Sequence, residues 1–367
     1  MSLDSRPRIQ CPTDLISALP LAVGYEPAEC IMSVCIRKNG TLGLISYTAI
    51  SDIYCIAHAR AIAESVARHA VSDNAAQVFI VVYTNGKAES FTAQLRNTTR
   101  IIAGQMTLKE IETEVWLVNE TGYRHLECYD CCPAEGHSLI KLQSTAVRAA
   151  LVYQGYSVAE SRSSYLALGR ADSEGRQLAA VGAQRFEVKK HNNDPNWRVA
   201  ALTGWLFACE LARRRQHIPP KLLGMLGAAL ANPVVRDAIL IALIPGGLST
   251  AAALLEGQPT AIASARSLLE LVVDSEEALA PAVEHCRTAT TVLGAIAAHI
   301  GTEYAAAPLT LLAFIAWWLG DGTRSNRRLA DVRIVDPEYP LALTLATVNQ
   351  THVRPGWLQA RAHATAA

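Results

Sequence analysis

The sequence predicts an α/β domain over residues 1–142 followed by an all-helical domain over residues 143–367. Three observations carry this expectation. Apolar strand-like runs alternate with amphipathic helical patterns in the first part of the chain. After Gly136, Pro and Gly punctuation separates one helical segment from the next, and β-branched runs thin out. A length of 367 residues also exceeds what one ordinary core holds, so two domains are expected.

The elements follow in order. "CIMSVCI" (30–36) is almost wholly apolar, as expected of a strand covered on both faces. Asn39-Gly40 then supplies a two-residue hairpin turn, because both turn positions need positive φ, and "LGLISYTAI" (42–50) is the partner strand. Ser51 or Asp52 is placed to cap a helix on which Ile53, Ile56, Ala59, Ala63, Val66 and Ala70 form one apolar stripe. "QVFIVVYT" (77–84) reads as a buried strand ended by Asn85-Gly86, and a second helix is expected over Glu89 to Met106. "IETEVWLV" (111–118) alternates and reads as half exposed; "NETG" turns it into "YRHLEC" (123–128). The predicted order is β-β-α-β-α-β-β, an α/β sandwich. In the helical half the breaks fall at Gly155, Asn192–Pro195, Pro219-Pro220, Asn232-Pro233, Pro245–Gly247, Gly320–Gly322 and Asp336-Pro337, with "HNNDPN" (191–196) as the most exposed joint. The segments have no fixed period, which argues against a repeat solenoid.

Composition narrows the function classes. Thirty-three basic residues balance 33 acidic ones, so the chain carries no general attraction for nucleic acid or anionic lipid. The N-terminus, MSLDSRPRIQCPTDL, lacks the apolar core of a signal peptide. The best membrane candidate, "AAAPLTLLAFIAWWL" (305–319), is shorter than the roughly 20 apolar residues a span needs. It holds Pro308 and lies between Glu303 and Asp321, so a buried core helix containing Trp317 and Trp318 is expected. Nine cysteines in a chain without a leader point to reduced thiols in the cytoplasm. Cys30 and Cys35 fall in a strand and Cys55, Cys209 and Cys286 in helices, where a thiol acts as a small hydrophobe.

The most chemically loaded stretch is "ECYDCCPAEG" (127–136). His125, Cys128 and Cys131 are spaced by three, with Cys132 and His137 nearby, and thiolate and imidazole are the ligands zinc prefers. A structural zinc site usually pairs two such steps, and no second C-x-x-C exists. Cys131 or Cys132 could instead be a nucleophile near a helix start with Glu135 or His137 as base, but Glu127, Asp130 and Glu135 surround the thiols with charge that raises a thiol pKa. The favoured reading is a rigid joint: Pro133 fixes φ, Gly136 turns the chain, and small thiols fill the space beneath. Two basic clusters remain. Arg213-Arg214-Arg215 closes the helix containing Trp205, where cations complement the helix end. Arg324, Arg327, Arg328 and Arg333 are spaced to share one face of a later helix, which a solvated, salt-bridged surface explains better than phosphate contact. Phosphate-loop, dinucleotide, zinc-protease and serine-hydrolase motifs are all missing; "GLSTA" around Ser249 lacks the final glycine of the last.

Several stretches together resemble the actinobacterial family called domain of unknown function 4192. "DLISALPLAVGYEPAECIMSV" (14–34) is similar to its entry motif, an Asp-Leu start, a Pro, and a Gly-aromatic-x-Pro step before a buried strand. "YRHLECYDCCPAEG" carries its Cys-Cys-Pro-x-Glu-Gly element and "SRSSYLA" (161–167) its Ser-Arg step. "VVRDAIL" (234–240), "APLTLLAFIAWWLGDG" (307–322), "DPEYPLALTL" (336–345) and Gly356-Trp357 follow in the family's order. Cys30 stands where the family usually has serine, and "GTRSNRR" adds arginines after Gly-Asp-Gly.

The resemblance implies origin and architecture, with no assigned reaction. The expected function is a cytoplasmic actinobacterial, or phage-carried, binding or regulatory module with a protein or small-molecule partner and no resident cofactor. An enzyme with a thiol and carboxylate site at Cys132 and Glu135 is the alternative, with Asp14, Glu29 and Arg162 from the same motifs converging on it. Nucleic-acid contact through the helix 324–333 is weaker still, and zinc at Cys128, Cys131 and His125 is not the favoured reading of the loop.

Overall fold

The computed structural model describes residues 9–85, 92–128, 130, 132–133, 135–191, 196–274, 277–351 and 353–364. The chain divides into two compact units, with the boundary between Tyr165 and Leu166.

The first unit contains α1 (Pro12–Val23), β1 (Cys30–Arg37), β2 (Leu42–Ala49), a 3-10 turn (Ile50–Asp52), α2 (Ile56–Ser72), β3 (Ala75–Tyr83), α3 (Ala93–Thr107), β4 (Glu112–Val118) and β5 (Tyr123–His125). Three short helices follow: α4 (Ile140–Gln143), α5 (Ala146–Tyr153) and α6 (Arg162–Leu166), the last reaching across the boundary. The five strands form one sheet in the order β2-β1-β3-β4-β5. Only β3 and β4 are parallel; the other pairs are antiparallel.

Both faces of the sheet are covered, which is why its central strands read as unbroken apolar runs. On one face Ile31, Cys35, Val78, Ile80 and Val82 pack with Ala63, Val66 and Ala70 of α2 and Ile102 and Met106 of α3. On the other Cys30, Met32, Val34, Phe79, Val81 and Tyr83 pack with Leu15, Ile16 and Leu19 of α1. The helix α1 is an addition to the predicted order, which began with β1. Residues 15–21 are all buried, so α1 lacks the polar stripe that marks an amphipathic helix, and Pro20 sits inside it. The strand β4 is also more enclosed than its alternation suggested, because Val115 and Leu117 enter one core while Trp116 and Val118 enter the other.

Other local expectations shift by a few residues. Cys55, placed in a helix by the sequence, is the extended residue before α2, and the Ser51-Asp52 segment forms the 3-10 turn instead of the cap. Ile53 still packs into the α2 side of the core. Thr92 caps α3 by accepting from the Leu95 N–H, three residues after the expected start; the turn at Gly86 and the stretch around Glu89 lie outside the described residues. Asp73, sealed from solvent, ties the end of α2 to the hairpin, accepting from Arg37 Nη2 at 2.7 Å and from the Leu44 N–H at 2.8 Å. Beyond β5 the chain folds back, and His137 pairs with Tyr123 through two backbone hydrogen bonds of 2.7 and 3.0 Å.

In the second unit every described element is helical: α7 (Ser173–His191), α8 (Trp197–Arg213), α9 (Pro220–Leu230), α10 (Pro233–Leu243), α11 (Leu248–Leu255) and α12 (Ala261–Val273), then α13 (Val283–His299), a 3-10 turn (Thr302–Tyr304), α14 (Ala306–Trp318), α15 (Gly322–Val335), α16 (Pro340–Gln350) and α17 (Gly356–Ala364). Pro opens α9, α10 and α16, where the missing N–H has no intrahelical partner to lose. Two glycines let α7 and α9 touch: a Cβ at Gly224 would stand 1.8 Å from the Ala179 carbonyl, and one at Gly182 would stand 2.0 Å from that of Lys221. The helix α14 is buried from Ala307 through Trp318, as expected of a core helix. Its indoles are satisfied, with Trp317 donating to the Val353 carbonyl and Trp318 to that of Leu279, while Trp357 donates to the Trp318 carbonyl at 2.8 Å. No single described helix is long and apolar enough to cross a membrane. The predicted joint at 191–196 falls largely on 192–195, outside the described residues.

The four arginines of α15 do not share one face. Arg324, Arg327 and Arg333 are exposed, whereas Arg328 is 5% exposed and points inward with Ser325, Leu329 and Val332. The helical period separates Arg327 from Arg328 by about 100°. In the other basic cluster, Glu210 pairs with both Arg213 and Arg214 at the end of α8.

Candidate functional site

The Cys-Cys-Pro-x-Glu-Gly loop is organised by its backbone. Gly136 has φ of 85°, and a Cβ there would lie 3.0 Å from the Tyr123 backbone. At Gly122 a Cβ would lie 2.5 Å from the His137 carbonyl. The Glu135 carbonyl accepts from Thr121 Oγ1, and its side chain is exposed. Cys132 is half-buried, and Cys131 lies outside the described residues. His125 packs edge-on against Trp116, and its Nδ1 accepts from the Glu127 N–H. Cys128 is half-buried after β5. Among the described residues no group of three or more His, Cys, Asp and Glu is placed to hold a metal ion.

The residues of the entry motif and the Ser-Arg step gather where the chain enters β1. Gly24, at φ of 83°, closes α1, and a Cβ on it would strike the Tyr165 ring at 2.3 Å. Tyr25 then pairs with Ala159, held by Glu26 N–H to Ala159 O at 3.0 Å and Ala159 N–H to Gly24 O at 2.9 Å. Ser161 accepts from the Ser164 N–H and starts α6, so that Arg162 is the first residue of that helix. The entry motif and the Ser-Arg step, over 130 residues apart, therefore share one scaffold.

Arg162 lies over the Tyr47 ring, 4.3 Å from its centroid, and hydrogen-bonds the Tyr25 hydroxyl. Tyr25 also packs against Tyr47 and Tyr165. Cys30 stands opposite Tyr83 in the β1–β3 register, at the carboxyl end of the parallel pair β3–β4. Open α/β sheets bind ligands at such ends. Two buried polar atoms here lack a hydrogen-bond partner: Nε of Arg162 and the hydroxyl of Tyr83. No carboxylate forms an ion pair with Arg162 among the described residues.

Electrostatics define what this cluster can do. Burial pushes the Cys30 thiol up to about 12, with Arg162 and a backbone hydrogen bond from Ala28 opposing the rise. Burial also raises Tyr25, Tyr47 and Tyr83, the last well above the ordinary range. Three phenols and a thiol thus stay protonated at neutral pH, beside a guanidinium that is always charged. The group is rich in donors and contains no activated nucleophile.

Of the residues singled out by the sequence, Arg162 lies in this cluster and Glu29 at its rim. Glu29 has φ of 44°; it accepts from the Asn85 N–H through its side chain and from Ile50 through its carbonyl. Asp14 sits in the first turn of α1, where its Oδ2 accepts from the Gln10 N–H. No hydrogen bond or ion pair joins Arg162 to Asp14, Cys132 or Glu135 among the described residues. Tyr25, Tyr47 and Tyr83 escaped sequence reasoning as site residues. The Gly-aromatic-x-Pro step marked Tyr25, but nothing in the spacing links Tyr47 or Tyr83 to Arg162.

A family model described as Domain of unknown function (DUF4192) matches residues 12–257 and 251–356, spanning both units. No curated protein and no solved structure matches the chain. With nearly the whole sequence covered, the chain belongs to the family described as Domain of unknown function (DUF4192).

Proposed function

We propose that the protein is a non-enzymatic binding module of the reducing cytoplasm that recognises an anionic group at Arg162. One observation carries the reading: a half-buried guanidinium, stacked on Tyr47 and without a carboxylate partner, stands among hydroxyl and thiol groups that remain protonated. A planar guanidinium pairs well with carboxylate, and an unpartnered buried donor is costly unless something accepts from it. The raised thiol of Cys30 speaks against nucleophilic chemistry at this place. Among the described residues no cysteine forms a disulfide, which fits a reducing compartment.

The test is calorimetric titration of the full chain with acetate, succinate, sulfate and phosphate. Arg162→Gln should abolish the binding seen with the native protein while leaving the far-UV spectrum unchanged. Equal binding by both proteins would remove Arg162 from recognition. Should no anion bind the native protein, the cluster is a structural latch that fastens the segment around Ala159 to Tyr25.

A further inference from the structure

The helical unit holds a cavity of about 840 Å³ whose wall includes Arg327 and Arg328 of the arginine cluster in α15. Its size suits a nucleotide-sized molecule, since pockets for small ligands run from about 300 to 1,000 Å³. The wall is formed by α7, the end of α13 with the 3-10 turn after it, the start of α14, and α15. Four guanidiniums line it, from Arg170, Arg176, Arg327 and Arg328, against two carboxylates, Glu303 and Asp331.

The charge is not neutralised within the site. Asp331 is shared by Arg327 at 3.1 Å and Arg328 at 3.2 Å. Arg176 directs its Nε to the Asp172 carbonyl, and neither it nor Arg170 has an ion-pair partner among the described residues. Arg328 is the most informative of the four. It is 5% exposed, its Nη2 donates to the Leu166 carbonyl, and its Nη1 has no hydrogen-bond partner beyond the charge of Asp331. Burial, together with the like charges of Arg327 and Arg324, pushes its pKa down, so an added anion would relieve a real repulsion. The remaining wall offers the apolar Ala183, Leu309 and Ile334 and the ring of Tyr304.

We propose that this cavity binds a phosphorylated small molecule of nucleoside-phosphate size, with the phosphate on Arg176, Arg327 and Arg328 and the body against Tyr304 and the apolar wall. Guanidinium forks match phosphate oxygens in pairs, and a cluster of them with surplus charge selects phosphate over a neutral ligand. The proposal is independent of the Arg162 reading, which concerns the other unit.

The test is equilibrium binding of the full chain to a panel of nucleoside mono- and diphosphates and sugar phosphates. Unphosphorylated nucleosides, inorganic phosphate and a short single-stranded oligonucleotide serve as comparators. A member of the phosphorylated panel should bind at least about ten-fold more tightly than its unphosphorylated counterpart and than phosphate alone. Arg176→Gln and Arg327→Gln should each weaken that binding about ten-fold or more, with Arg162→Gln leaving it unchanged. These two positions are chosen because Arg328→Gln also removes the contact to the Leu166 carbonyl and would disturb folding. Failure of the whole panel to bind, binding insensitive to both substitutions, or a preference for the oligonucleotide would overturn the proposal.

Discussion

Alkylation of the folded protein by iodoacetamide at pH 7.5 separates the binding reading from the thiol-enzyme reading. Cys55 is exposed and serves as the internal reference, while Cys30 is fully buried with its thiol held at about 12. An ordinary thiol titrates near ~8.5, so the gap of ~3.5 pH units cuts the thiolate fraction of Cys30 by roughly 3,000-fold. The more basic thiolate is intrinsically faster, by roughly 40-fold at a Brønsted slope of ~0.45. The net effect is a slowing of about 100-fold before burial is counted, and the opening needed to admit the reagent slows it further. Mass spectrometry of digested time points gives every rate in one experiment. Cys30 should lag Cys55 by at least about 100-fold and equalise with it in urea. A Cys30 rate within about ten-fold of that of Cys55 in the folded protein would refute the argument that this cluster holds a neutral thiol. The same time course addresses Cys132, which as part of a structural joint should label no faster than Cys55. A faster rate there would revive the enzyme with Glu135 as base.

Two further outcomes follow from packing and protonation. Gly224→Ala should destabilise the helical unit by about 2 kcal/mol or more, because the new methyl meets backbone that cannot yield, whereas Gly294→Ala in α13, whose Cβ would meet only Leu168 at 3.9 Å, should stabilise by up to about 1 kcal/mol. Urea midpoints followed by tryptophan fluorescence report both, and stabilisation by Gly224→Ala would contradict the close α7–α9 approach. Stability of the first unit should fall as pH rises above about 8.5, because the unfolded chain releases the Cys30 proton at ~8.5 while the folded chain holds it to about 12. Cys30→Ala should flatten that alkaline slope by one proton, and an unchanged slope would place the titration elsewhere.

The sequence revealed most of the sheet and little of the cluster, for the same physical reason. Strands buried on both faces leave an unmistakable run such as 30–36, and turn chemistry at Asn39-Gly40 needs no tertiary information. The helix α1 was hidden because it is buried over most of its surface and lost the periodicity that identifies a surface helix. Arg328 was misplaced on a common face because spacings of three to five leave room for two faces, and only packing decides between them. In the cluster, Arg162 and Tyr25 were reachable through the family's motifs. Tyr47 and Tyr83 become neighbours of Arg162 and Cys30 only through strand register and the return of the chain at Ala159, which spacing along the sequence does not encode. The change in character after Gly136 was legible; α4 and α5 pack on α1, and the chain divides into compact units between Tyr165 and Leu166.

The fold-back of His137 onto Tyr123 gives the cysteine loop a role that its thiols do not supply. The strand β5 is the last of the sheet, only three residues long, and its outer rim would otherwise offer open N–H and C=O groups to another chain. By placing His137 on those groups, with glycines at 122 and 136 allowing the close approach, the loop shields the edge against strand addition between copies. Its glycines then serve the sheet edge, because they allow a backbone approach that a methyl at either position would obstruct.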